Sequence, residues 1–431
     1  MLGQPPGDFD NHVRTLSTAG TLEVPAGSPC VICKGSRNLC GKDRCPLMLK
    51  FYSHSKTQKL FNSLDLAGMS PPGIFVGRYG YPKVDIGPLV PPIMGDTSLM
   101  DTPELWVGKS IDEIMDFRFT LVRGKHRIDA FNFEKSGRIV DYTRDLALSV
   151  NPMEVEAKFL KRPSGRLILD DEVQPFGPSA RLKDLDIGNP RYDQRVEKAF
   201  YDTDLRATEA VRSLYQDGVL ISKIQKAFSV GAFGVGKNRR FVPTRWSITA
   251  VDDILGKGLL SETKHNPLIE EWRVYDWCQL DNRWSILLMP TSWRYELIEA
   301  WYPNTAWNPR GRKVDMISDH EFFNGRKEYA HIGGCYYAAR LAVNELLTAE
   351  RRQAGAVIFR EAHPGYIMPV GVWNVRENVR EALKVQPRCF ETLQQALAHI
   401  AGRMDIPMDT WISNSGILRD YLTQRRIDDY V

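Results

Sequence analysis

Apolar and polar residues alternate between residues 117 and 160, which is typical of strands that bury one face. The apolar positions on this spacing include Phe117, Phe119, Leu121, Val155 and Ala157. Successive side chains of a strand point to opposite faces, so a spacing of two residues places these side chains on one side. The pattern therefore predicts a sheet in this part of the chain.

Apolar residues recur every three, four or seven positions in four further stretches, which is the spacing of an amphipathic helix. The first stretch covers residues 193–216 and is followed by Gly218, a residue type that commonly stops a helix. The others lie at residues 336–352, 392–404 and 410–425. The last three stretches predict a C-terminal part that is mostly helical.

Residues 51–105 are dense in proline and glycine, which excludes long helices there and predicts extended segments and turns. Six of the ten tryptophans lie between residues 272 and 307, and this aromatic density is typical of a packed core. The composition is 43% hydrophobic and 26% charged, with a mean hydropathy of -0.33, as expected of a folded protein in water. A chain of 431 residues exceeds the roughly 250–300 residues that one core supports, so we expect several units.

Charge and hydropathy limit the possible partners and locations. The formal net charge of +4 is too small to indicate a nucleic-acid partner by itself. The first residues have no basic segment followed by an apolar run, and no stretch approaches 18 consecutive apolar residues. We therefore expect no signal peptide, no membrane span and a cytoplasmic location.

Four of the seven cysteines cluster in the pattern C-x2-C-x6-C-x4-C, as Cys30, Cys33, Cys40 and Cys45. Four thiolates this close can form a closed tetrahedral site for structural Zn(II). A [4Fe-4S] cluster accepts the same ligands, and spacing alone does not separate the two. Four reduced, unligated cysteines are a third possibility. We predict a metal module at residues 29–50 with Zn(II) as its metal and an iron-sulfur cluster as the alternative.

The chain ends in the pattern Q-x-x-I-x-x-Y-V, formed by Gln424, Ile427, Tyr430 and Val431. This pattern resembles the clamp-binding box of replication and repair proteins, which forms one helical turn and inserts its aliphatic and aromatic side chains into a hydrophobic pocket. Val431 departs from the box, where a second aromatic residue is usual. The alternative is the frayed end of an amphipathic helix. A position at the terminus, where a peptide can reach a partner, favours the clamp-binding interpretation.

A glycine-rich, basic segment extends from residue 231 to residue 245. It matches G-x-x-x-x-G-K as far as Lys237, but Asn238 stands where a nucleotide-binding P-loop has Ser or Thr, and Pro243 disfavours the helix that should follow. We predict instead a loop that binds phosphates of a nucleic acid or nucleotide. A surface turn with solvated basic side chains is the alternative. The candidate residues are Gly234, Gly236, Lys237, Asn238, Arg239, Arg240 and Arg245.

Two long runs, residues 229–253 and 282–301, together with the early C-x-x-C and the terminal Q-x-x-I-x-x-Y-V, resemble the archaeal Nre DNA-repair family. The resemblance spans residues 30–431. It implies an N-terminal Nre domain, a smaller C-terminal Nre domain, a role in the repair of DNA damage and an interaction with the sliding clamp, proliferating cell nuclear antigen. It brings no catalytic residue.

These observations predict an α+β chain with a zinc module at the N-terminus, a mixed, sheet-containing central domain and a mostly helical C-terminal domain. The predicted units are a flexible segment (1–28), the metal module (29–50), an Nre N-terminal-type domain (51–304), an Nre C-terminal-type domain (305–423) and the clamp-binding tail (424–431).

Two functions remain open from the sequence. The first is a DNA-repair factor that binds DNA and is recruited by the clamp. The alternative is a metal- or nucleotide-dependent enzyme that modifies nucleic acid, such as a nuclease or a nucleotide-using transferase, delivered by the same tail. Carboxylate clusters at residues 170–172, 252–253 and 319–321 could hold Mg²⁺ for such chemistry. Residues 249–252 also match a capping box that would open a helix and account for Asp252.

Overall fold

A computed structural model describes residue 45 and residues 63–133, 137–164, 176–305, 307–309 and 311–423. Cys30, Cys33 and Cys40 lie outside the described residues, and Cys45 is partly buried. The predicted tail at residues 424–431 and the carboxylates at residues 170–172 also lie outside them. The metal module and the tail therefore stay predictions.

The first half of the described chain contains a six-stranded mixed sheet, here called the first sheet. Its strands are β1 (Asp65–Ser70), β2 (Ile74–Val76), β3 (Lys83–Val90), β4 (Val122–Asp129), β5 (Met153–Phe159) and β6 (Ser179–Ile187). They lie in the order β1-β5-β6-β4-β3-β2; β4 and β6 are parallel, and the other neighbours are antiparallel. The alternation predicted around Val155 and Ala157 is confirmed, because β5 buries every second side chain.

The described helices of this half are α1 (Ile111–Thr120), α2 (Arg138–Leu148), α3 (Gln194–Tyr201), α4 (Ala207–Gln216), α5 (Ile221–Ser229) and α6 (Thr244–Thr263). The strand predicted at Phe117 and Phe119 is wrong, since both residues belong to α1. The Ser110 hydroxyl accepts from the main-chain N–H of Glu113 at 3.3 Å, and the Glu113 carboxylate accepts from Ser110 N–H at 2.9 Å. This capping box starts a helix, and three alternating apolar residues are too few to oppose it.

The single helix predicted at residues 193–216 is two helices, α3 and α4. The break follows Asp202, whose carboxylate accepts from the main-chain N–H groups of Asp204 and Leu205 at 3.0 and 2.9 Å. An Asp side chain that bonds main-chain groups two and three residues ahead stabilises a turn in competition with the helix. Apolar spacing alone does not show this turn, because the bonds from Asp202 interrupt the helix without changing the spacing.

The second half contains another six-stranded mixed sheet, the second sheet. Its strands are β7 (Trp272–Gln279), β8 (Asn282–Met289), β9 (Tyr295–Trp301), β10 (Asp315–Glu321), β11 (Gly355–Ala362) and β12 (Arg388–Phe390), in the order β10-β9-β11-β8-β7-β12. β11 pairs antiparallel with β8 and parallel with β9. Strands from both sides of the predicted boundary at residue 305 therefore share one sheet, and the C-terminal segment completes it rather than forming a separate helical layer.

The described helices of this half are α7 (Gly334–Glu350), α8 (Trp373–Lys384), α9 (Leu393–Ala401), α10 (Met408–Asn414) and α11 (Gly416–Thr423). The helices predicted at residues 336–352 and 392–404 are confirmed as α7 and α9. The third predicted helix, at residues 410–425, is divided at Ser415. Here the Ser415 hydroxyl accepts from Leu418 N–H at 2.9 Å and so begins a new helix, α11.

Each sheet packs against helices. The first sheet shares a core with α2 to α6, while the second sheet carries α7 and α8 on one face and α9 to α11 on the other. α6 packs along α7 and joins the halves. Of the six clustered tryptophans, Trp272, Trp284, Trp293 and Trp301 are buried, Trp277 is partly buried and Trp307 is 44% exposed. Among the described helices, none has the length and apolar character that crossing a membrane requires.

Candidate nucleic-acid interface

The glycine-rich segment folds as a compact loop between α5 and α6. Gly231 has a φ of 67°, and a Cβ atom there would lie 2.7 Å from the carbonyl oxygen of Arg240, so glycine lets the two ends of the loop approach. Gly236–Asn238 forms one 3-10 turn, Arg239 is extended, and α6 begins only at Thr244. A P-loop lysine would open a helix directly. The geometry therefore confirms that this segment is not a P-loop.

The basic residues of the loop have different surroundings. Lys237 and Asn238 are exposed, and Arg245 is exposed in the first turn of α6. Arg239 instead bonds within the protein: its Nε donates to the Gly234 carbonyl at 2.8 Å and its Nη2 donates to the Asp202 carbonyl at 2.7 Å. Arg239 therefore holds the loop in place, whereas Lys237 and Arg245 face solvent.

Main-chain bonds fix the basic segment to the first sheet. Phe241 N–H donates to the Ala130 carbonyl at 3.1 Å, and Ala130 N–H donates to the Pro82 carbonyl at 2.8 Å. At the edge strand β2, Val76 N–H donates to the Thr244 hydroxyl at 2.8 Å. Three stretches far apart in sequence are thereby held side by side, with their side chains at one surface.

Three aromatic residues lie on that surface beside the cations. The ring of Tyr81 is 5.1 Å from the ring of Trp246 and 5.7 Å from the ring of Phe131, centroid to centroid. The guanidinium carbon of Arg240 lies 5.2 Å from the centroid of Phe131. We call Tyr81, Phe131 and Trp246 the aromatic cluster. The sequence does not indicate this cluster, because nothing near Tyr81 or Phe131 in the chain shows that they meet Trp246.

The carboxylates at residues 252–253 are bound by arginines. Asp252 is fully buried, within α6 rather than at its start, so the predicted capping box is wrong. Its two oxygens accept from Nη1 of Arg376 at 2.9 and 3.1 Å, and Gln225 donates to it at 3.2 Å. Burial raises the pKa of Asp252 to about 6 even beside this arginine. Asp253 pairs with Arg340.

The carboxylates of Asp319 and Glu321 are similarly engaged. Asp319 pairs with Arg326 at 2.7 Å, and Glu321 pairs with Nη1 of the buried Arg340 at 2.9 Å. Glu321 also accepts from the indole N–H of Trp293 at 3.0 Å. A magnesium ion here or at Asp252 would have to displace an arginine from a buried pair. The geometry therefore gives no support to a magnesium site at these two clusters.

Within the described residues, one group of side chains has the spacing of a metal site: Glu361, His363 and Asp405, whose ligand atoms lie within 4.8 Å of one another. Glu361 accepts main-chain N–H bonds from Ile406 at 2.9 Å and from Asp405 at 3.2 Å. Asp405 pairs with Arg283 at 2.5 Å. These contacts connect β11 to the loop before α10, which gives the group a structural role without an ion.

Helix α11, which directly precedes the predicted tail, is anchored to the second sheet. The buried carboxylate of Glu296 in β9 accepts from the Ser415 hydroxyl at 2.5 Å and from the N–H groups of Gly416 and Ile417 at 2.8 and 3.0 Å. A carboxylate at a helix N-terminus also interacts favourably with the helix dipole. Asp420 pairs with Arg294 at 3.1 Å. Residue 424 therefore follows a fixed helix.

Comparison with known proteins assigns both halves of the chain to one family. Residues 39–308 match the family model described as archaeal Nre, N-terminal, and residues 321–430 match archaeal Nre, C-terminal. No solved structure matches the chain.

This chain is similar in sequence to curated proteins along most of its length. It is 43% identical over 391 residues to DNA repair protein NreB of Archaeoglobus fulgidus, covering 90% of this chain and 97% of that protein. It is 37% identical to DNA repair protein NreA of the same organism, and the match covers 87% of this chain and 94% of that protein. It is 34% identical to DNA repair protein NreA of Haloferax volcanii, and this match covers 80% of this chain and 84% of that protein. The chain belongs to the archaeal Nre family.

Proposed function

We propose that this protein is a DNA-repair factor that binds DNA through the surface formed by Lys237, Arg240, Arg245 and the aromatic cluster. The observation that carries the proposal is the presence of cations and exposed aromatic rings on segments held together by main-chain bonds. None of the ion pairs formed among the described residues involves Lys237, Arg240 or Arg245. The names of the curated relatives support the repair role.

The charge of this surface suits phosphate contacts. Phosphate neutralisation by lysine and arginine supplies most sequence-independent affinity for DNA, and each contact adds about one unit to the salt dependence. The net charge of the whole chain is only +4, so such binding requires cations that are gathered locally and not consumed by carboxylates. Lys237 and Arg245 meet this requirement within the described structure.

Changing Lys237→Gln and Arg245→Gln together is expected to weaken binding of duplex and single-stranded DNA on the order of tenfold near 0.1 M salt. The slope of log affinity against log salt concentration should fall by about two units, because two phosphate contacts are lost. Fluorescence anisotropy over a salt series measures both quantities. Lys384→Gln, which removes a 69% exposed cation that pairs with Glu381 in α8, is the control for loss of a cation elsewhere on the protein. An unchanged slope in the double variant would contradict the proposal.

Recruitment by the sliding clamp is the second part of the proposal. It rests on the sequence of residues 424–431 and is supported by the anchoring of α11, the helix that precedes them in the chain. In this arrangement Gln424 would bond at the rim of the clamp pocket, and Ile427 and Tyr430 would enter it, with Val431 following.

The four-cysteine module is proposed to hold a structural metal. Four thiolates suit Zn(II), which gives a closed site without an open position for catalysis, and an iron-sulfur cluster is the alternative. Changing Cys33→Ser should lower the metal content from about one equivalent towards zero, because three ligands hold the ion far less tightly. Metal analysis of the purified protein measures this, with Cys278→Ser, at an exposed single cysteine, as control. Intact protein without zinc or iron would refute the module.

The enzyme alternative has no comparable support in the described residues. The carboxylates proposed for Mg²⁺ at Asp252, Asp253, Asp319 and Glu321 all pair with arginines. The relatives' names describe repair without a reaction. We therefore propose DNA binding and recruitment, and no catalytic step.

A further inference from the structure

The aromatic cluster exposes more apolar ring surface than a core requires. Phe131 is 45% exposed and Trp246 is 36% exposed, while Tyr81 lies between them and is partly buried. The same turn that carries Tyr81 also presents Tyr79, which is 64% exposed with the Arg78 guanidinium carbon 5.1 Å from its ring centroid. The surface thus offers several ring faces to a ligand in solution.

The positions of these rings are fixed before any ligand arrives. Phe131 follows Ala130, whose N–H and carbonyl groups both bond to neighbouring segments, and its own N–H donates to the Asp129 carboxylate at 2.9 Å. Trp246 lies in the first turn of α6, where its N–H donates to the Pro243 carbonyl at 2.8 Å. Little ordering is needed on binding, so contact with a ligand is not offset by a large loss of conformational freedom.

The chemistry of the neighbours identifies the occupant. Arg240 lies against Phe131, and Lys237 is exposed on the adjoining loop. An apolar protein surface would not require cations at this edge. A polyanion with flat, uncharged π-systems matches both features, since its phosphates meet the cations and its bases stack on the rings.

We propose that the aromatic cluster is a stacking platform for unpaired bases, so that the protein prefers DNA with single-stranded or extrahelical nucleotides over fully paired duplex. This inference rests on the proposed DNA-binding function and adds its substrate class. Bases within a duplex are stacked on one another and cannot present a free face, whereas unpaired bases can. Any base can use the platform, so the preference is for structure and not for sequence.

The test compares three labelled ligands of equal length by fluorescence anisotropy: oligo-dT, an abasic deoxyribose-phosphate chain that has the same charge without bases, and a blunt duplex. The intact protein should bind oligo-dT at least about tenfold more tightly than the abasic chain. Phe131→Ala and Trp246→Ala should each weaken oligo-dT binding roughly 5- to 100-fold and leave the abasic chain and the duplex within about twofold. Trp246→Phe should restore much of the loss, because it restores a ring.

Phe322→Ala is the matched control, since Phe322 is 42% exposed but lies outside the cluster, and it should bind all three ligands as the intact protein does. Phe131→Tyr, which keeps the ring, guards against loss through misfolding, as does an unchanged thermal unfolding midpoint. Equal affinity for oligo-dT and the abasic chain, or insensitivity to both alanine variants, overturns the platform. If salt-dependent binding through Lys237 and Arg245 persists in that case, the DNA-binding function stands without it; if no ligand binds, that function fails.

Discussion

Changing Arg376→Met is expected to lower the free energy of unfolding by about 3–5 kcal/mol at neutral pH. Arg376 in α8 has a side chain that is 1% exposed, and Asp252 in α6 is completely buried. Without the guanidinium, Asp252 would keep its hydrogen bond from Gln225 but lose the cation that is bonded to it, leaving only the weaker influence of Arg380 on a buried carboxylate. Chemical denaturation monitored by circular dichroism measures the loss.

The loss should also shrink as the pH falls. Burial raises the pKa of Asp252 to about 6 in the intact protein, and removing Arg376 removes a contribution that lowers it. A carboxyl group whose folded pKa exceeds its unfolded value of about 4 destabilises the fold fully above the folded pKa and not at all below the unfolded one. Removing Arg376 places the folded pKa of Asp252 above 6, so the difference in stability between variant and intact protein should decline as the pH falls from that higher value to about 6. Below about 6 Asp252 is protonated in both folded proteins, and the difference should stay constant.

Two controls separate loss of charge pairing from loss of packing. Arg138→Met removes an exposed arginine that pairs with Asp184 at 2.6 Å, and only a minor change is expected because solvent screens this pair. Combining Arg376→Met with Asp252→Leu should recover stability relative to Arg376→Met alone, because no buried charge is left unpaired. A double variant that is no more stable than the single one would contradict this account.

Deleting residues 424–431 is expected to reduce clamp binding by at least about 100-fold and to leave the thermal unfolding midpoint unchanged. The side chains expected to fill the clamp pocket, Ile427 and Tyr430, are lost, and truncating such central apolar anchors commonly removes most of the binding energy. The fold should persist because α11 is anchored through Glu296 and Asp420, upstream of the deletion. Isothermal titration of the chain with a purified archaeal clamp measures the affinity.

Point variants test the same tail more finely. Ile427→Ala and Tyr430→Ala should each reproduce most of the loss, while Asp428→Ala, at a position between the box residues, should change the affinity little. Val431→Phe should increase the affinity, because it supplies the second aromatic residue that clamp-binding boxes usually have. Undiminished binding after deletion of the tail would remove the recruitment proposal and leave the DNA-binding proposal untouched.

Local pattern was a sound guide where local forces decide the structure. The helix α9 and the strand β5 follow directly from apolar spacing, because each buries one face against a core. The helix α7 was also predicted from its spacing, although residues 336–344 are buried on all sides. It was misleading where a side chain competes with that spacing. Asp202 ends α3 by bonding the main chain ahead of it, and the capping box at Ser110 starts α1 in a stretch predicted to be a strand.

Local sequence likewise predicts some features of the candidate interface and not others. The glycine-rich basic loop could be predicted from its composition. Its difference from a P-loop could also be predicted, because Asn238 lacks the required hydroxyl and Pro243 disfavours the helix that a P-loop needs. The bond from Arg239 to the Asp202 carbonyl and the convergence of Tyr81, Phe131 and Trp246 could not be predicted, because they depend on contacts between distant segments.

The sequence by itself determined the family, the α+β character and most helices of the C-terminal half, because these depend on residue identity and on periodicity within a few turns. Only the tertiary structure decided which acids and arginines pair, that β11 lies between β8 and β9, and which rings meet the cations. The sequence next to a charged or aromatic residue does not indicate which side chain it will contact. Their partners are chosen when distant segments are brought together and water is excluded from the space between them.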